Sequence, residues 1–254
     1  MSLIPAFYLK LLKNLYTIDI PHVRLGSKHD GGYLIPDMIK KGTICLSPGV
    51  GDQSEFELDL ADKHDSKVYI CDPTVGKKWP CAHDNLSYYD IGIGYPAVGK
   101  YLPLSEWESK LVINPKSNKI LQMDIEGSEY DFIKNESEEY LKGFQYILIE
   151  IHNLRSLSTV TPETSQIVAN MTKLFRLFFC THIHGNNCSC YCEKNGLILY
   201  DCLELTLVNR EMIHKLGAKK CTDFQKRHEL DRLNSLYDYP QDWLPSITNI
   251  LSSI

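Results

Sequence analysis

Cys45–Glu57 reads CLSPGVGDQSEFE: a short apolar run, two glycines one residue apart, then acids and a serine. A phosphate-cradling loop carries a Lys-Ser or Lys-Thr pair behind its glycines, because the lysine reaches the phosphates. Here Asp52, Gln53 and Ser54 follow instead. A dinucleotide fingerprint places a third small residue three positions after the second glycine. Ser54 stands there, so that pattern is degraded rather than absent. The loop is not built for a triphosphate. Behind it, Ser54-x-x-Glu57 is a capping-box pattern that predicts a helix with Phe56, Leu60 and Ala61 facing inward.

Outward from this loop the same grammar repeats. Thr43–Ser47 leads into the glycines, Lys67–Cys71 ends at Asp72, Lys119–Met123 ends at Asp124, and Gln145–Ile151 ends at His152 and Asn153. Thr161-Pro162-Glu163 reads as an N-cap, a proline at the first helical position and a first-turn acid. The helix it opens carries Ile167, Met171, Leu174 and Phe175 on one face. Leu177–His184 returns as a strand, and Asn195-Gly196 predicts a hairpin turn before Leu203–Val208. Alternating strands and helices imply an α/β fold, a largely parallel sheet with helices on both faces.

The 254 residues suit one domain without repeats or linkers. A net charge of −5, with acids and bases interspersed, argues against affinity gained by neutralising nucleic-acid phosphates. Lys219–Lys220 and Lys226–Arg227, flanked by Asp223, Glu229 and Asp231, read as a solvated helical face. No apolar run reaches membrane-spanning length. Ile4–Tyr16, with Lys10 and Lys13 in its pattern and no small-residue cleavage site, reads as an amphipathic helix. Nine cysteines, most of them in apolar runs, imply a reducing, cytoplasmic setting in which the Asn135 and Asn170 sequons are unused. The segment 211–254 reads as a helical tail that either closes the domain or joins a second copy in a homodimer.

In open α/β sheets ligands sit outside the carboxyl ends of the strands. The residues collected there are Gly49, Gly51, Asp72, Asp124, Glu126, His152, Asn153 and His184 to Asn187. Gly49 and Gly51 either let the backbone pass close under a ligand at a helix N-terminus or form a bare turn. Asp72, about twenty residues on, either accepts ribose hydroxyls or caps the turn Asp72-Pro73-Thr74.

Six segments in order, HDGGYLIP (29–36), SPGVGDQSEFE (47–57), CDPT (71–74), MDIEGSEYDFI (123–133), IEIHN (149–153) and IHGNN (183–187), resemble FkbM-type S-adenosylmethionine-dependent methyltransferases. The resemblance runs from about residue 22 to about residue 210. It implies a class I, Rossmann-like methyltransferase sheet, mostly parallel with a C-terminal antiparallel strand, and methyl transfer to oxygen, most often on a sugar. It divides the single domain 1–254 into an N-terminal helix and cofactor-covering segment (1–40), a core (41–210) and the tail. Carried over by position, Gly49 and Gly51 lie under the methionine part of the cofactor and Asp72 holds its ribose. Asp90 and Ile91 border adenine, Asp124 approaches the cofactor, and Asp30, Gly31, Gly32 and Tyr33 fold over it, unless the glycine pair is a simple turn. A sulfonium cofactor has no phosphate, which suits an acidic loop lacking lysine.

Methyl transfer is an in-line displacement and largely a positioning task. The hydroxyl proton goes to a base or is made labile by a divalent cation. Asp124, Glu126 and His152 are the catalytic candidates, with Asp124 and His152 also candidate metal ligands. The arrangement resembles metal-dependent O-methyltransferases of the catechol type, in which oxygen ligands hold magnesium. It departs from them in offering a histidine, which favours manganese, serves as the base, or is satisfied by backbone. Ser128 and Asp131 are suited to cap the following helix. His184, Asn186 and Asn187 are candidate binders of sugar hydroxyls. Cys188-x-Cys190-x-Cys192 is spaced more tightly than structural zinc sites usually are; either Cys180, Cys202, His182 or His184 completes a zinc site or the cysteines are reduced thiols in a loop and strand, the reading preferred. The loops 73–85, with Trp79, and 153–161 are candidate walls of the acceptor pocket. A nicotinamide-dependent oxidoreductase would share the glycines and Asp72, as would a non-catalytic nucleoside-binding module.

Overall fold

The computed structural model describes residues 2–76, 82–194, 197–222 and 228–235. Trp79, the Asn195-Gly196 turn, Asp223, Lys226–Arg227 and the tail from residue 236 lie outside the described residues. Helix α1 (Ile4–Lys13) precedes a hairpin of β1 (His22–Gly26) and β2 (Gly32–Pro36). Then come β3 (Ile44–Pro48), α2 (Glu55–His64), β4 (Lys67–Cys71) and β5 (Leu86–Tyr89). Helix α3 (Leu104–Ser109) leads to β6 (Lys119–Met123), α4 (Glu129–Asn135), α5 (Glu138–Lys142) and β7 (Tyr146–Ile151). The chain continues through α6 (Pro162–Leu177), β8 (Phe178–Gly185) and β9 (Leu203–Asn209).

Seven of these strands form one sheet in the order β8-β9-β7-β6-β3-β4-β5. All neighbouring pairs are parallel except those made by β9, which runs antiparallel between β7 and β8. Both faces are covered, so β3 and β7 are buried along their whole length, as a two-sided parallel sheet requires. Side-chain alternation divides the core in two. Leu46, Leu121 and Ile149 pack with Phe7, Leu11, Met171 and Leu174 on one face, while Cys45, Ile120 and Leu148 pack with Leu25, Phe56 and Leu60 on the other. The hairpin closes the second face, tied to the sheet by the Thr206 hydroxyl donating to the Leu34 carbonyl.

Local signals held at α6 and failed at α2. Thr161 and Thr164 exchange side-chain-to-backbone bonds in a capping box. Ser54 makes no side-chain cap, and Glu57 turns inward to hydrogen-bond Ser47. Ser128 likewise caps nothing. The Lys219–Lys220 pair is not on a helix: it forms a two-residue strand with Tyr16–Thr17, and Lys220 Nζ sits 4.7 Å over the Tyr16 ring. Within the tail, the described residues hold a 3-10 turn at Arg210–Met212 and that strand rather than the expected helix. No helix among the described residues is long and apolar enough to cross a membrane.

The contrast between the two helix starts has a measurable consequence. Thr161→Ala should lower stability by about 1 kcal/mol, and Ser54→Ala by less than about 0.5 kcal/mol, in urea unfolding.

Candidate functional site

A cavity of about 430 Å3 opens where β3, β4 and β6 end, within the size range of small-molecule sites. Gly49 has φ +81, and a Cβ there would lie 1.6 Å from the Asp124 carbonyl oxygen. The Asp124 amide donates to the Pro48 carbonyl and the Gly49 amide to the Cys71 carbonyl. Three strand ends are thereby drawn to one point. Gly51, at φ +57, faces open space, and its amide donates to Asp72 Oδ2 at 2.8 Å. The other oxygen of Asp72 accepts from the Thr74 amide and hydroxyl, at 2.7 and 2.6 Å. Asp72 therefore both lines the cavity and caps its own turn, leaving capacity for one further donor.

Asp30, Gly31 and Tyr33 also line the cavity, while Gly32 is packed against the Ser27 carbonyl and Arg24. Asp90 and Ile91 do not line it. Asp90 is an exposed partner of Lys100 at 2.9 Å, Ile91 packs on the core, and Gly92 and Ile93 face the cavity with Tyr101. Six acidic side chains line the space, Asp30, Asp52, Glu57, Asp72, Asp124 and Glu126; no lysine, arginine or histidine does so among the described residues.

Beside the cavity Asp124 meets His152, whose ring is ringed by carboxylates. His152 Nδ1 is 3.1 Å from Glu129 Oε1, and Nε2 is 3.6 Å from both Asp124 and Glu126 and 3.9 Å from Glu150. Glu129 is wholly buried, and its Oε1 also accepts the Ile125 and Gly127 amides. Burial disfavours the imidazolium, but the Glu129 hydrogen bond and the charges of Glu129, Glu150 and Asp124 outweigh it and raise His152 to about 9. Burial and the Glu150 charge push Asp124 upward, against the opposing charge of His152. Asp124 Oδ1 and Glu129 Oε2 are buried without a hydrogen-bond partner. Glu126 sits at φ +54 with its side chain largely in solvent.

His184, Asn186 and Asn187, expected to bind sugar hydroxyls, do not line this cavity, and their side chains hydrogen-bond to other parts of the chain. His184 Nε2 lies 2.8 Å from Asn234 Oδ1, Asn186 donates to Glu150, and Asn187 exchanges two bonds with the Ser235 backbone. His184 and Asn187 clamp the segment 228–235 across the sheet end, where Asp231 also holds His182 at 2.8 Å. Asn234 in turn donates to Asp30 and Glu204.

Sequence reasoning missed Glu57, Gln122, Glu129, Glu150 and Glu204. A signal was available for three of them: Gln122, Glu150 and Glu204 are polar residues inside otherwise apolar strands, KILQM, YILIEI and LELTL. A polar group in a strand buried on both faces needs a partner, so each marks a network.

The strand order, with its single reversed strand, is the class I methyltransferase fold. No protein-family model matches the chain, and no curated protein matches it. Similar solved structures include a fibrillarin pre-rRNA processing protein of Methanococcus jannaschii, 12% identical over 75% of this chain and 83% of that one, with a TM-score of 0.41. TrmK of M. capricolum, in complex with S-adenosylhomocysteine, is 11% identical over 68% and 65% of the two chains, with a TM-score of 0.37. A 16S rRNA (adenine(1408)-N(1))-methyltransferase from Catenulisporales acidiphilia is 14% identical over 67% and 89%, with a TM-score of 0.34. RNA figures in the names of two of the three. The exclusion of nucleic acid read from net charge is corrected against these names. Net charge is a sum over the whole surface, whereas a partner meets a local patch.

The two glycines are separable by substitution. Gly49→Ala should cost more than about 3 kcal/mol in chemical unfolding, since a backbone clash adds to the left-handed conformation. Gly51→Ala should cost only about 1 kcal/mol, the conformational part alone.

Proposed function

We propose that the chain transfers a methyl group from S-adenosylmethionine to a hydroxyl oxygen. The observation that carries this reading is the cavity's lining, six acidic side chains with no lysine, arginine or histidine among the described residues, at the carboxyl ends of a class I sheet. A sulfonium cation with an ammonium-bearing tail suits such a lining; the pyrophosphate of a nicotinamide dinucleotide does not. Gly49 and Gly51 are assigned to the methionine end, Asp72 to the ribose, and Gly92 and Ile93 in place of Asp90 and Ile91 to the base. The acceptor is a sugar hydroxyl, as on a glycan or nucleotide sugar. The ribose of RNA offers the same group and stays among the candidates.

In the displacement the acceptor oxygen bonds to the methyl carbon, the carbon–sulfur bond breaks, and sulfur leaves as a neutral thioether. The hydroxyl proton passes to the Asp124–His152 pair, with Glu129 orienting the ring through Nδ1. Arrival of the cationic cofactor disfavours a second positive charge on His152, which readies the pair to take that proton. Asp124, Glu129 and His152 each offer a ligand atom within 4.8 Å of the others, and two buried carboxylate oxygens without a hydrogen bond, one on Asp124 and one on Glu129, fit a divalent cation there. When bound, such an ion lowers the pKa of a coordinated hydroxyl. Cys45, Cys71, Cys180 and Cys202 are buried thiols outside any disulfide, in keeping with a reducing compartment such as the cytoplasm.

Calorimetry should show S-adenosylhomocysteine binding and no NAD binding, with affinity reduced more than about tenfold in Asp72→Ala. The reverse selectivity would transfer the reading to a nicotinamide oxidoreductase. With labelled cofactor and a panel of glycosides and RNA, Asp124→Asn should lower kcat by about 100-fold or more. Turnover that survives thorough chelation assigns the proton to the side-chain pair alone, and turnover restored by manganese assigns the ion.

A further inference from the structure

Along the cavity wall, four buried polar side chains form a file across four elements: Glu57 of α2, Ser47 of β3 behind the lining, Gln122 of β6 and Tyr33 of β2. Ser47 Oγ meets Glu57 Oε1 and lies 2.6 Å from Gln122 Oε1, while Gln122 Nε2 lies 3.1 Å from the Tyr33 hydroxyl. A serine hydroxyl has one proton to give. With Glu57 ionised, both of its partners are acceptors and one contact lacks a hydrogen.

The two longer contacts say which way the file runs. O–H···O bonds span about 2.5–3.0 Å and N–H···O bonds about 2.7–3.2 Å. The Ser47–Gln122 contact fits only the first range and the Gln122–Tyr33 contact only the second. Ser47 therefore donates to the Gln122 carbonyl, and the Gln122 amide donates to Tyr33. The remaining Ser47 contact needs a proton from Glu57. Tyr33, already accepting from Gln122, has its own O–H free to point into the cavity it lines.

We propose that Glu57 is a positioning residue: held as a neutral carboxylic acid, it sets the direction of the Glu57–Ser47–Gln122–Tyr33 file so that the Tyr33 hydroxyl donates into the cavity, and its ionisation reverses the file. On reversal Glu57 releases its proton to solvent and Ser47 donates to the carboxylate. The Gln122 amide then turns over to donate to Ser47, and Tyr33 donates to Gln122. The cavity loses a donor and gains a buried negative charge nearby.

Burial raises Glu57 to about 7, and the Glu55 charge adds to the shift, against the opposing Ser47 hydrogen bond. The reversal thus falls near neutral pH. Glu55 of α2 and Cys45 of β3, whose own pKa the Glu57 charge raises, are its titratable neighbours, and Tyr33 of β2, Cys71 and Asp72 share the cavity lining with it. Arg24 of β1 donates to the Ser27 and His29 carbonyls. Because the folded pKa lies above the ordinary one, the stabilisation is complete below about 4.5 and is lost as pH rises through about 7.

The test uses the full chain as wild type, Glu57→Gln, whose carboxamide donates to Ser47 at every pH, and Tyr33→Phe, which removes the output. Infrared difference spectra of wild type against Glu57→Gln should show a protonated-carboxyl band at about pH 6 that is gone by about pH 8.5. Absence of that band at the lower pH overturns the inference, and this arm needs no cofactor. The second arm rests on the methyltransferase reading and uses S-adenosylhomocysteine as the probe. Wild-type affinity should fall about tenfold across the same interval, the worth of one hydrogen bond. Glu57→Gln should keep the tighter value throughout and Tyr33→Phe the weaker one. A Glu57→Gln protein that retains the wild-type pH dependence overturns the inference. No binding at any pH removes the cofactor reading, while the infrared result still decides the state of Glu57. If Glu57→Gln does not fold, Ser47→Ala, which cuts the file, should flatten the same binding profile.

Discussion

The contact between Gly49 and the Asp124 backbone is the constraint on which the site depends. A Cβ at residue 49 would stand 1.6 Å from the Asp124 carbonyl oxygen, so only glycine admits the approach. The approach draws the ends of β3, β4 and β6 together, through Gly49 to Cys71 and Asp124 to Pro48. From there the rest follows by connection. The turn at Gly51 delivers an amide to Asp72, and the strand end at Asp124 delivers a carboxylate to His152.

Around this junction the fold concentrates acids that would ordinarily be excluded from an interior. Glu57, Glu129, Glu150 and Glu204 are all buried, and an unpaired charge at such depth costs several kcal/mol. Each is compensated differently. Glu129 has two backbone amides and an imidazole, Glu150 has the Asn186 amide and the Cys202 thiol, Glu204 has the Asn234 amide, and Glu57 has Ser47. Burial raises Glu57, Glu150 and Glu204, so part of the compensation is protonation. A cation entering the site would favour the ionised forms of these acids.

The segment 228–235 contributes to the same end of the sheet from far away in sequence. Asn234 joins Asp30, Glu204 and His184, and Asp231 holds His182 and the His228 amide. His184 and Asn187 thereby join this segment to the sheet.

The sequence by itself determined the α/β alternation, the strand ends and the helix at Thr161, because each is a property of neighbouring residues: periodicity, a cap, a glycine pair. It also indicated that Gly49, Gly51, Asp72 and Asp124 share one edge, since the carboxyl ends of parallel strands all face one way. Only the tertiary structure decided the partners. Ser47 and Gln122 are 75 residues apart, and His184 and Asn234 are 50 apart. Ser54-x-x-Glu57 satisfied the local pattern for a cap, but Glu57 found Ser47 across the sheet instead. A side chain with two possible hydrogen-bond partners takes the one that keeps the interior satisfied, and that choice is made by packing, which no local window contains.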